Sequence, residues 1–208
     1  MDLGNPIHSV IPSVQGDVLA ALTRAGQPMS GRGVAELVGD RASASGGKAA
    51  LRSLVASGLV TGEPHPSVIL YRLNRRHLAA EGIGSLATLR GRLIDKIREH
   101  LAAWAVPTRG VYLFGSFARG EGNLVSDIDV LIVRPDDLDA GDPTWLGPVH
   151  AFVSDVAAWT GNDCRLAEFS EGELGKFLAS PERLAKDPRT DAINLTGRRL
   201  PGLASVSQ

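Results

Sequence analysis

Residues 114–133 read FGSFARGEGNLVSDIDVLIV, a Gly-Ser pair beside an Arg and, ten residues further on, two aspartates at the head of an apolar run. Working outward, Val111, Tyr112, Leu113 and Phe114 form a strand-like entry into Gly115-Ser116, and Phe117, Ala118 and Arg119 suit a short helix before Gly120 and Gly122. A strand that turns through Gly-Ser into a helix start leaves backbone N–H groups unpaired, and Gly115 has no Cβ to keep an anion away. Ser116 can add a hydroxyl and Arg119 a cation.

The next segment, Asp127-Ile128-Asp129-Val130-Leu131-Ile132-Val133, reads as a strand with a polar front. Residues two apart on a strand share a face and lie roughly 6.5 to 7 Å apart. Asp127 and Asp129 are thus expected to project together while Ile128 and Val130 enter the core. Two like charges so close are costly unless a cation neutralises them. Mg²⁺, or Mn²⁺ in its place, does so while keeping waters and binding substrate phosphates. The alternative reading, one Asp capping the loop and the other in an ion pair, leaves the Gly-Ser turn unexplained.

Taken together, Gly115-Ser116, Ala118-Arg119-Gly120 and Ser126-Asp127-Ile128-Asp129 resemble the signature of the DNA polymerase beta-like nucleotidyltransferase superfamily, in its minimal and antibiotic nucleotidyltransferase branch. The resemblance covers residues 84–200 and weakens after residue 135. It implies an α/β (α+β) fold, a mixed-sheet palm, with a nucleoside triphosphate, ATP as the expected one, over Mg²⁺. Asp127 and Asp129 would be metal ligands and catalytic groups. Gly115, Ser116, Arg119 and Ser126 would hold the nucleotide. The family brings a third carboxylate from a neighbouring strand. Here residues 163–169 are the expected strand, with Cys164, Leu166 and Glu168 on one face and Arg165, Ala167 and Phe169 on the other. Glu168, swinging in from the strand end, is the candidate third acid. If the family's acid aligns with Arg165 instead, that ligand is missing, and Arg165 could bind a phosphate directly.

Around this segment, one amphipathic helix is expected over residues 84–104 and another over residues 144–160, with Pro148 tolerated near its start. Ser170 with Glu173 writes a capping box. Ser180-Pro181 would open a further helix, residues 192–195 an edge strand, and residues 203–208 a disordered end.

The N-terminal part has another character. Helices are expected over residues 14–24, from Ser30 to Val38 (burying Val34, Leu37 and Val38), and from Ser43 or Ser45 to Gly58 (burying Ala49, Ala50, Leu54 and Val55). Two strands follow, Leu59-Val60 and residues 68–73. This order resembles a winged helix-turn-helix module over residues 13–75, giving a division into residues 1–80 and 81–208. Ser45, Lys48 and Arg52 share a helical face and would meet duplex DNA, with Arg72 on the wing reaching phosphates. The plainer reading is a solvated face on a docking or homodimer module.

Charge follows the same division: residues 1–76 carry eight Lys/Arg against five Asp/Glu, net +3, and the remainder is net −4. A single cysteine, Cys164, excludes an intrachain disulfide and a Cys-rich zinc site. No apolar run approaches a membrane span, so a soluble cytoplasmic protein with no membrane partner is expected. Three functions fit: a nucleotidyltransferase acting on an RNA or protein acceptor, a nucleotide-binding transcriptional regulator with weak or lost transfer, and a toxin–antitoxin component.

Overall fold

The computed structural model describes residues 1–179 and 192–196. The helix expected from Ser180-Pro181 and the end from Leu203 lie outside the described residues. The chain divides into two compact units, Asp2 with Gly4–Arg90, and Met1 and Leu3 with Gly91–Gln208.

The first of these contains α1 (Pro6–Val10), α2 (Val14–Ala25), β1 (Met29–Ser30), α3 (Gly31–Val38), α4 (Ala44–Ala56), β2 (Val60–His65), β3 (Val68–Leu73) and α5 (Ala79–Ala87). Side-chain oxygens set the starts: Ser13, Ser30 and Ser43 accept from the N–H groups of Gly16, Gly33 and Gly46. The strands form an antiparallel sheet in the order β1-β3-β2, so Pro64 falls on an edge where its missing N–H costs no ladder bond. Val18, Leu19, Leu22, Val34, Leu51 and Leu54 fill the core. Three inward assignments, Leu37, Ala49 and Val55, need correction. Leu37 is 48% exposed and Val55 38%, and the buried stripe of α4 is Ala50, Leu51 and Leu54. A three-residue stripe is all that a short helix lying on α2 and α3 requires, so the flanking Ala49 and Val55 stay off the core. The helix α1 was not anticipated, because five residues make too little periodicity to read.

A single helix over residues 84–104 is also corrected. Two helices occupy this stretch, α5 and α6 (Leu89–Ala102). Thr88 separates them: its hydroxyl and its N–H both bond to the Ser85 carbonyl, which replaces the regular helical pattern by a tight turn. Ile83 of α5 belongs to the core of the N-terminal unit, which is why that unit runs to Arg90 rather than to residue 80.

The second unit continues with β4 (Gly110–Phe114), α7 (Gly115–Arg119), β5 (Ile128–Arg134), α8 (Pro143–Thr160), β6 (Cys164–Ser170), α9 (Glu171–Ala179) and β7 (Ile193–Asn194). Its mixed sheet has the order β6-β5-β4-β7, with β5 parallel to β6 and antiparallel to β4. Alternation gives each face its own core. Val111, Leu113, Ile128, Val130 and Ile132 pack with Ile97, Trp145 and Phe152. Tyr112, Phe114, Leu131 and Val133 pack on the other face with Leu174 and Leu178 of α9. Between α6 and α8 the rings of Trp104 and Trp145 meet edge to face at 5.4 Å, and His100 sits 5.8 Å from Trp159. The capping box forms as read: Ser170 N–H donates to Glu173 at 2.7 Å and Glu173 N–H to the Ser170 hydroxyl at 3.3 Å. That first bond holds the Glu173 carboxyl below its ordinary range.

Candidate active site

The Gly-Ser turn lies where β4 becomes α7. Gly115 has φ +73°, a conformation that side chains disfavour, and a Cβ built on it would stand 2.4 Å from Oδ2 of Asp129. Phe114 and Asp129 are paired across β4 and β5, so the ladder itself brings the carboxylate onto the turn. The glycine serves the aspartate as much as any incoming anion.

Asp127 lies one residue ahead of β5 rather than inside it. The Ile128 N–H bonds to the Asp163 carbonyl at 2.8 Å, which fixes the strand's first residue. Upstream, the Asn162 amide donates to the carbonyls of Asn123 at 3.2 Å and Ser126 at 2.9 Å, tying down the loop that delivers Asp127. Asn162 is 5% exposed. Gly161-Asn162 reads in sequence only as a turn, and nothing in its spacing signals a bond to a loop nearly forty residues away. Ser126 accepts from the Asn123 N–H through its hydroxyl, so it shapes the same loop.

Arg165 stands beside both acids. It is paired in register with Asp129 across the parallel strands, and its Nη1 lies 2.9 Å from Oδ2 of Asp127. The Arg165 side chain is 73% exposed against 22% for Asp127. Arg119 donates through Nε to Glu121 at 2.8 Å. Cys164, register partner of Ile128, packs against the opposite core; burial first and the Asp129 charge second push its thiol up to about 12. It therefore stays a protonated thiol at neutral pH.

Glu168 is not brought to the pair. It is in register with Ile132, three residues along from the Asp129–Arg165 level, roughly 10 Å by strand rise, and on the opposite face of the sheet. There it accepts from the indole N–H of the fully buried Trp145 at 2.9 Å and lies 3.4 Å from Nε of Arg134. The strand's period of two forbids it from joining Asp127 and Asp129 without turning β6 over.

For a metal ion, the donor chemistry gives two carboxylates, Asp127 and Asp129, which suits one hydrated hard cation whose remaining positions are filled by water and phosphate. Among the described residues no cluster of three or more His, Cys, Asp or Glu groups could hold a metal.

Residues 94–178 match the family model described as Nucleotidyltransferase domain. The stretch runs from α6 into α9 and contains the Gly-Ser turn, both aspartates and Arg165. That match, over less than half of the chain, supports a transferase and identifies no catalytic residue. No curated protein matches the chain. Among solved structures, one described as "Crystal structure of the toxin-antitoxin with AMP-PNP" aligns with 22% identity over 51% of this chain and 74% of its own, at a TM-score of 0.36, too slight a likeness to bear on the fold. Among the described residues no helix is long and apolar enough to cross a membrane.

In the N-terminal unit, Ser45, Lys48 and Arg52 are all exposed on α4. The Ser45 hydroxyl is 3.1 Å from that of the capping Ser43. Lys48 and Arg52 border a groove of about 610 Å³ whose floor includes Val34, Leu51, Ile69 and Tyr71. Arg72, by contrast, is held across the hairpin by Glu63 and Thr61.

Proposed function

We propose that the C-terminal unit is a nucleotidyltransferase, which transfers a nucleoside monophosphate from a nucleoside triphosphate, ATP first among them, to an acceptor hydroxyl. The observation that carries this reading is the Asp129 carboxylate seated on a side-chain-free Gly115, with a second carboxylate two residues away. Asp127 and Asp129 would hold Mg²⁺ or Mn²⁺, which when bound supplies positive charge for the triphosphate and for the attacking oxygen. The N–H groups at Gly115 and Ser116, with the Ser116 hydroxyl, would orient the terminal phosphates. Arg119 would turn from Glu121 to phosphate. The acceptor oxygen forms a bond to the α-phosphorus, the bond from that phosphorus to the bridging oxygen breaks, pyrophosphate leaves, and the acceptor's proton goes to solvent.

Incubation with Mg²⁺, each α-labelled triphosphate and cell extract should transfer label with the natural protein. Asp127→Asn and Asp129→Asn should each remove it; equal labelling by all three proteins would reject the assignment. A second reading, a nucleotide-responsive DNA-binding regulator with weak or lost transfer, draws support from the Arg165 ion pair on Asp127 and from the exposed Lys48 and Arg52. In that reading the N-terminal unit is the winged helix-turn-helix module and α4 its recognition helix.

A further inference from the structure

We infer that Arg165 is a resident counter-cation of the carboxylate pair, which competes with a divalent metal for Asp127 and so sets the metal affinity of the protein. The inference rests on the reading that Asp127 and Asp129 bind such a metal. Its basis is the placement of one guanidinium. The parallel register of β5 and β6 puts Arg165 level with Asp129, and its Nη1 reaches Oδ2 of Asp127 at 2.9 Å.

Two features make this contact a switchable one. Asp127 lies outside the β5 ladder, so the loop and not the strand holds it. Arg165 is 73% exposed, and an ion pair so open to water is weak enough for a doubly charged ion to displace. Asp129 differs, because the β4–β5 ladder and the Gly115 turn fix it on the sheet. A metal ion would therefore meet one carboxylate fixed by the sheet and one held by the arginine. On displacement the guanidinium, planar and with five N–H donors, is released beside the pair, where a phosphate can take it in place of the carboxylate.

The competition is open to direct measurement with Mn²⁺ alone, read by electron paramagnetic resonance on the full chain without nucleotide. Arg165→Gln should bind Mn²⁺ on the order of tenfold more tightly than the natural protein, the size expected for removing one unit charge from a few ångströms away in water. Arg165→Lys keeps the charge and should stay within about threefold of the natural protein. Both substitutions are at an exposed position, so folding is not at stake. If Arg165→Gln leaves Mn²⁺ affinity unchanged while Asp127→Asn weakens it, the inference is overturned and the metal-binding reading survives. If the natural protein and Arg165→Gln both fail to bind Mn²⁺, both fall together.

Discussion

A missing side chain and a carboxylate oxygen define the site at the scale of single residues. Gly115 combines positive φ with the close approach of Asp129, so Gly115→Ala should both strain the backbone and push the aspartate off the turn. The expected loss is at least about 1 kcal/mol of stability, read as a lower denaturation midpoint, together with loss of label transfer. The turn at that glycine was legible in sequence, though its contact with Asp129 was not, since register between β4 and β5 is a tertiary fact. Glu168 shows the reverse. Alternation alone already put it opposite Arg165, and the need for a third acid argued against that pattern. The period of the strand prevailed, with Trp145 and Arg134 satisfying the carboxylate.

Elements with strong local signals could be read, and elements defined by interruption could not. The serine caps of α3 and α4 and the box at α9 rest on bonds within three residues, so sequence spacing suffices. The break between α5 and α6 depends on Thr88 turning its hydrogen bonds to Ser85, and an unbroken apolar period concealed it. The α9 cap makes a prediction with a definite sign. Glu173 has a folded-state value below the ordinary carboxylate range, so its contribution is present above that range and lost as pH falls through the depressed value. Glu173→Gln should accordingly lower the urea midpoint at neutral pH, with the difference closing in acid.

For the whole molecule, chemistry and charge divide along the chain. The carboxylates and the Gly-Ser turn belong to one unit, while the net +3 of residues 1–76 belongs to the other. If the basic face of α4 meets duplex DNA, replacing both Lys48 and Arg52 by Ala should reduce the slope of log affinity against log salt by about 2. Arg72→Ala should change that slope much less, because Glu63 already holds its guanidinium. The two cations were legible from helical spacing; the apolar groove beside them was not, because Val34, Leu51 and Ile69 come together from three separate elements.

The chain's three tryptophans, Trp104, Trp145 and Trp159, all belong to the C-terminal unit. Tryptophan-selective emission is consequently a native optical probe for that half alone, leaving the other half dark. Unfolding followed by fluorescence and by far-ultraviolet circular dichroism would report one unit and both units respectively, without any label.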